Sequence, residues 1–355
     1  MNFTKIVKLD QSSFNNNEYL KEAAGILMRG GLVIIPTETV YGVAANAFNQ
    51  KAVALLNKIK NRPANKPFSF IIDDKSRVDD LAIGIPVAGY KLISKFWPGP
   101  LTVVLNSSGG GKIGLRMSDN EIALRIASLC GVPLACPSAN LSGKPAPVNF
   151  SQAIKDLDGL VDFAIDAGPA KLGAESTVVD LTSGQAQVLR EGAIKASEIE
   201  AVINKKIVLF VCTGNSCRSV MAEALLQKKL KEKGREDVEV LSAGIMHAAG
   251  MGATDATKRV LAQDGMDVST HVSQKITKDM IKKSDLILVM EKIHEDRVMQ
   301  LAPEAKNRVF LLKEFAKISD DNKMDIADPI GREDDFYANT YLLIKDAVDR
   351  IIDLI

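Results

Sequence analysis

Cysteine is scarce in this chain: Cys130, Cys136, Cys212 and Cys217 are the four among 355 residues. That is too few for the disulfide framework that holds small secreted domains together. No apolar run approaches the ~20 residues of a membrane-spanning helix, and the opening "MNFTKIVKLDQSSF" is no signal peptide. Charge of one sign is missing too. The formal net charge is +1, so no global field draws the chain to nucleic acid or membrane, and any polyanion must be met by a local site. The sequence has no internal repeat and no low-complexity tract. These absences leave a reduced, cytoplasmic protein, and a hydrophobic content of 46% gives it an ordinary core.

A chain of this length is expected to form two domains. The seam is the polar, helix-like stretch "REGAIKASEIEAVINKK", Arg190 to Lys206, which places domains at 1–204 and 205–355. Beyond it, "IVLFV", "VEVLSAG", "SDLILVM" and "RVFLLKEF" read as strands, with helices at "SVMAEALLQKKLKEK" and "GATDATKRVLAQDG". A last amphipathic helix puts Tyr337, Tyr341, Ile344, Val348, Ile351, Ile352 and Ile355 on one face at three-and-four spacing. Short apolar strands alternating with helices imply a parallel sheet covered on both faces. The first half is less regular. "GGLVIIPTETVYGVAA", "KPFSFII", "LTVVL", "VPLAC", "FAID" and "STVVDL" supply strands around the helix "QKAVALLNKIKN", predicting a twisted α/β sheet of mixed direction.

The chemistry of the second half concentrates in "CTGNSCRS", Cys212 to Ser219, between a strand and a helix. Parallel-sheet folds place ligands at the ends of such strands. Between Cys212 and Arg218 every residue is small or polar, so backbone N–H groups can curl around an anion while the helix adds the positive end of its dipole. Both effects lower a thiol pKa, and the thiolate is the nucleophile. Arg218 offers a planar fork for two phosphoryl oxygens. Gly214 permits a positive φ, and Asn215 can brace the loop through its side-chain amide. An inert structural cysteine is the commoner meaning of a lone Cys near an Arg; the complete octet at a strand–helix junction outweighs it.

This half resembles the low-molecular-weight protein phosphatases, including the downstream Asp-Pro of "DIADPIGREDDFY". The resemblance implies a three-layer fold in which Cys212 attacks phosphorus to form a phosphocysteine. Arg218 and the amides of Thr213, Gly214, Asn215, Ser216 and Cys217 would hold the oxygens. Asp328 would protonate the leaving group and later activate water. Ser219 would help hold the thiolate, and Cys217 could trap an oxidised Cys212 as a disulfide. Val220 stands where many relatives have proline. Arsenate reductases share the loop but relay a disulfide to later cysteines, which this chain lacks after Cys217. Ser216, Ile330-Gly331 and "HVSQKIT" resemble the arginine-phosphatase branch, so phosphoarginine is preferred over phosphotyrosine on the phosphoprotein substrate.

In the first half, "IPTETVYG", "KIKNRPANKP", "FWPGPLTVVL", "IGLRMSDN", "CPSANLSGKPAPV" and "GAESTVVDL…VLREG" occur in order. "GGGKIG" is no nucleotide-binding P-loop, because Ile113 stands where Ser or Thr must follow the lysine. Together the segments, over about residues 15–204, resemble the threonylcarbamoyl-AMP synthase family. The resemblance implies that L-threonine and bicarbonate give N-carboxy-threonine, whose carboxylate attacks the α-phosphorus of ATP. Pyrophosphate leaves, and a partner enzyme transfers the threonylcarbamoyl group to tRNA. Thr37 would contact threonine, and Lys60 and Arg62 the triphosphate. Arg116, Ser138, Asn140, Ser176 and Arg190 would complete the pocket, Lys58 and Lys66 would lie near it, and Mg²⁺ would accompany ATP. Longer members often carry a histidine where this chain has "FSFII". A module of this fold that holds RNA or nucleotide without catalysis is the alternative.

Overall fold

In the strand Lys206–Cys212 every residue after the first is buried, the mark of a strand covered on both faces. Its side chains alternate between two cores. Val208, Phe210 and Cys212 pack with Met221, Leu225, Tyr341 and Ile344. Leu209 and Val211 pack with Ile281, Ile287 and Val298 on the other side. The period of two and the helices Arg218–Glu232, Asp334–Ile351, Lys278–Lys283 and Lys292–Leu301 therefore make three layers.

A computed structural model of the protein describes residues 3–9, 18–61, 68–246, 250–318 and 324–355. The chain divides into two compact units, Met1–Val202 and Ile203–Ile355. No helix among the described residues is long and apolar enough to cross a membrane.

The second unit has a four-stranded sheet in the order Val238–Gly244, Lys206–Cys212, Leu286–Val289, Val309–Leu311. All three pairings are parallel. The chain goes first to one side of Lys206–Cys212 and then to the other, which makes the end of that strand a topological switch point. All seven residues expected on the apolar face of the last helix are buried, with Ile352 and Ile355 lying just past its end at Ile351. One expected strand is shorter than its sequence suggests: "RVFLLKEF" is extended only over Val309–Leu311 and then coils as the helix Leu312–Phe315. Leu312 and Lys313 are both buried, so the core there takes neighbouring side chains on one face, which a strand cannot present.

The first unit is built on a mixed 11-stranded sheet. Parallel pairs join Val33–Ile35 and Lys5–Lys8 to Phe163–Asp166, Ser69–Ile71 to Lys112–Arg116, and Leu101–Ser107 to Thr177–Asp180. Antiparallel pairs join Val33–Ile35 to Gly42–Asn46 and Leu101–Ser107 to Lys112–Arg116. Val33 and Ile35 face one core, with Leu20, Leu27 and Ile126; Ile34 faces the other, with Tyr41 and Leu56. The first three glycines of "GGGKIG" form the turn between Leu101–Ser107 and Lys112–Arg116, and Lys112 pairs with Asp180. No strand runs into a helix there. The helix-like seam expected over Arg190 to Lys206 starts on the last residue of the strand Gln187–Arg190 and is helical over Ala196–Asn204. Glu191 accepts the N–H of Ala196, so the turn between the two has its own bond.

Candidate active sites

In the second unit the cysteine loop leaves the sheet at its switch point. The Cys212 Sγ is buried, 2.9 Å from Ser219 Oγ, and accepts the N–H of Asn215 at 3.2 Å. The positive φ of the loop falls on Asn215, at 55°, and not on Gly214, which would permit it. Asn215 holds that conformation because its side chain is bound at both ends: Nδ2 donates to Ser219 Oγ at 3.0 Å and to Ser242 Oγ at 2.7 Å, and Oδ1 accepts Gln274 N–H at 2.9 Å. Ser219 therefore accepts from Asn215, and its own hydrogen is left to donate to the Cys212 sulfur. Among the described residues no protein acceptor takes the N–H groups of Gly214, Ser216 and Cys217. Gly244 sits beneath the loop: a Cβ there would lie 2.8 Å from Thr213 O and 2.9 Å from Gly214 C. Sequence reading did not single it out, and a glycine ending a strand beside the loop was the available signal.

Arg218 is fully buried. Its Nη1 donates to Glu291 Oε2 at 2.5 Å and to Ile326 O at 2.6 Å, and Nη2 donates to Asp328 Oδ2 at 2.5 Å and Thr213 Oγ1 at 3.0 Å. Nε is buried and, among the described residues, has no hydrogen-bond partner. The expected nucleophile, arginine and carboxyl group thus meet, although Asp328 lies 110 residues beyond Arg218. Glu291 and His294 were not expected. Burial and the Arg218 charge push the His294 pKa down to about 4, so the ring is neutral at neutral pH. Cys217 is a buried free thiol 3.7 Å from Tyr337 Oη and 3.5 Å from Thr254 Oγ1, while Ser216 is half-buried beside it.

The first unit has a cavity of about 410 Å³ lined by Thr37, Lys60, Arg116, Ser138, Asn140, Ser176 and Arg190, within the usual size of small-molecule sites. These are all the expected pocket residues that are described. Thr37 Oγ1 donates to Val40 O at 2.6 Å, closing the turn after the strand Val33–Ile35. Lys60 is buried; its ammonium binds the carbonyl of Ser138, the Asn140 carbonyl at 2.6 Å and Asn140 Oδ1 at 3.4 Å. It secures the Ser138–Asn140 turn, where Ser138 Oγ also donates to Asn140 Oδ1 at 2.5 Å. Arg116 is held by Glu38 at 2.6 Å and by Thr39 Oγ1 at 2.9 Å. Arg190 donates to Ser176 Oγ at 3.2 Å and pairs with Glu175 at 2.5 Å.

Glu38, buried and also bonded by Ser118, was missed by sequence reading; a carboxylate between two threonines was its signal. Ser69 and Ile71, from the "FSFII" segment that lacks the family histidine, line the cavity, as does Cys136, whose thiol burial pushes up to about 12. Lys58 lines a different concavity, with Leu55, Ile59 and Leu160. Its side chain follows the outer face of the helix Gln50–Lys60, two positions from the inward-facing Lys60. Arg62 and Lys66 lie outside the described residues.

Residues 25–192 match the family described as "Telomere recombination" (Sua5, YciO, YrdC), and residues 207–354 match the family "Low molecular weight phosphotyrosine protein phosphatase". The threonylcarbamoyl-AMP synthase of Pyrococcus abyssi is 40% identical over 195 residues, 52% of this chain and 57% of that one. A solved structure of a variant of P. abyssi Sua5 superposes with a TM-score of 0.53 at 26% identity, covering 86% of this chain and 98% of the other. A Mycobacterium tuberculosis protein named for the same synthase is 36% identical over 190 residues, 51% of this chain and 87% of that protein. The protein-arginine-phosphatase of Geobacillus stearothermophilus is 38% identical over 144 residues, 41% of this chain and 92% of that enzyme. This chain thus spans little more than half the length of the P. abyssi synthase. The chain belongs to the Sua5/YciO/YrdC family over its first half and to the low-molecular-weight phosphatase family over its second.

Proposed function

We propose that the chain is a bifunctional enzyme: a threonylcarbamoyl-AMP synthase followed by a cysteine-dependent protein phosphatase. The convergence of seven separated polar residues on one cavity carries the first reading. N-Carboxy-threonine, formed from L-threonine and bicarbonate, uses its carboxylate oxygen to attack the α-phosphorus of ATP. The new P–O bond replaces the bond to pyrophosphate, which leaves with its negative charge. Arg116, fixed by Glu38 and Thr39, gives the cavity a pre-oriented guanidinium for an anionic group. Lys60 lends its charge while holding the Ser138–Asn140 turn, and Arg62 takes the direct grip on the departing pyrophosphate. Glu38 and Glu175 are each tied to an arginine, so a Mg²⁺ ion would be held by triphosphate oxygens rather than by a protein cluster. The product is handed to a tRNA-modifying partner. Pyrophosphate release should require threonine and bicarbonate together. Equal ATP turnover without threonine would replace this reading with a nucleotide-binding module.

In the second unit the Cys212 sulfur attacks phosphorus as the bond to the leaving group breaks, and Asp328 gives that group its proton. Asp328 then takes a proton from water as the water oxygen displaces sulfur, releasing phosphate. Arg218 Nε, buried without a partner, and Nη2, once Asp328 turns to the leaving group, form the two-pronged edge that takes phosphoryl oxygens. The four free thiols suit a reducing, cytoplasmic setting.

The preferred substrate is phosphoarginine. Ser216 is half-buried, and among the described residues its hydroxyl has one hydrogen-bonding neighbour, the Cys217 sulfur at 3.7 Å, which leaves it able to bond a guanidinium. Ser216→Ile should shift kcat/KM towards phosphotyrosine peptides by roughly ten- to hundredfold, the worth of one hydrogen bond to a buried cation. An unchanged ratio between phosphoarginine and phosphotyrosine peptides would remove Ser216 from the explanation.

A further inference from the structure

His294 has no place in the reaction as written, yet it is fully buried beside the catalytic loop. Its two ring nitrogens have distinct partners. The backbone N–H of Glu291 points at Nδ1 from 3.0 Å. A backbone amide can only donate, so Nδ1 must be the unprotonated nitrogen. The ring hydrogen then sits on Nε2, 3.0 Å from Thr213 Oγ1, and must be donated to that oxygen. Thr213 Oγ1 also receives the Nη2–H of Arg218 at 3.0 Å. With both lone pairs taken, the hydroxyl has one rotamer and one orientation.

This hydroxyl is one of four acceptors around the guanidinium. Glu291 and Ile326 hold Nη1; Thr213 and Asp328 hold Nη2. When Asp328 serves the leaving group, Thr213 is the remaining acceptor on the Nη2 edge. Whatever fixes Thr213 therefore fixes the angle at which Arg218 meets the phosphoryl oxygens. We propose that His294, in its neutral Nε2-protonated tautomer, is the positioning residue of this site, holding Arg218 through the Thr213 hydroxyl. The surroundings agree with a neutral state: burial first and the Arg218 charge second oppose a positive charge on the ring, against Asp328 and Asp325, while Glu291 Oε2 stays 3.7 Å from Nε2, beyond hydrogen-bond reach.

The inference rests on the phosphatase reading, and two readouts separate the two. Hydrolysis of p-nitrophenyl phosphate by the full-length wild type tests the reading itself, and its absence would end that reading. Binding of inorganic phosphate, followed by calorimetry, tests the positioning role without turnover. His294→Asn retains an acceptor near Nδ1 but cannot reach Thr213; His294→Gln places an amide donor near Nε2 but loses the bond to Glu291. His294→Asn should weaken phosphate binding and lower kcat by about ten- to hundredfold, the worth of one charge-assisted contact, while His294→Gln stays within a few-fold of wild type. Thr213→Val, which keeps shape and deletes the hydroxyl, should match His294→Asn, and the double variant should be no worse than either. If the asparagine variant fails to fold, Thr213→Val compared with His294→Gln still decides the matter. Equal losses in His294→Asn and His294→Gln, or additive losses in the double variant, would overturn the proposal.

Discussion

The two sites are built in opposite ways. The cysteine loop is contiguous: Cys212, Asn215, Arg218 and Ser219 lie within one strand-to-helix turn, and Asp328 is the one expected residue brought from afar. The synthase-type cavity takes its residues from the turn after Val33–Ile35, the end of Gln50–Lys60, the end of Lys112–Arg116, the turn after Leu134–Ala135 and the strands from Thr177–Asp180 to Gln187–Arg190. A contiguous site depends on the geometry of a few peptide units. A dispersed site depends on the register of a whole sheet and on interior ion pairs that hold long side chains in place.

The largest effect on activity is expected where the loop has least room. Gly244→Ala places a methyl group 2.8 Å from the Thr213 carbonyl, a backbone atom that cannot swing aside. The loop must shift, and misplacing a phosphate cradle by about 1 Å costs on the order of a hundredfold. Phosphatase kcat/KM should fall that far while threonine-dependent pyrophosphate release persists; a near-normal phosphatase would mean the loop is less tightly set than the contacts imply.

For the dispersed site the weak point is the Glu38–Arg116 pair. Glu38→Ala leaves a buried guanidinium without its counter-charge, which typically costs about 3–5 kcal/mol. Urea titration of the variant should show that loss in the first unfolding transition to involve residues of the first unit, and Glu38→Gln should recover part of it by keeping a neutral acceptor. If Glu38→Ala is as stable as wild type, Arg116 has another anchor.

The smallest expected effect is a pH dependence of the second unit. The His294 pKa falls from 6.5 to about 4 on folding, so the unfolded chain binds more protons between those values. Stability from this group is complete above about pH 6.5 and declines as pH falls towards 4. Arg218, Asp328 and Asp325 set the shift together with burial. His294→Gln should flatten the stability–pH curve over that window, and an unchanged slope would assign the acid sensitivity to carboxylates.

How legible each site was follows from the same contrast. The octet could be read because strand, turn and helix place their own residues, yet the positive φ went to Asn215 instead of Gly214. An asparagine held by Ser219, Ser242 and Gln274 pays the conformational cost through bonds from distant segments. Glu291, His294 and Gly244 could not be found in the same way, since each matters only through what the sheet sets beside it. In the first half, Lys58 and Lys60 look alike in sequence. Only the helix's packing turns one inward to two carbonyls and leaves the other on a separate face.

By itself the sequence determined the α/β class, the apolar face of the last helix, the order of the second-half elements and the residue types of both sites. Those depend on periodicity and on chemistry carried within short segments. The tertiary structure decided which charges neutralise one another, which hydroxyl holds Arg218, where the strand at Val309 stops, and which lysine reaches the cavity. Such choices turn on the competition for buried hydrogen-bond partners, and that competition exists only once separated segments share one dry interior.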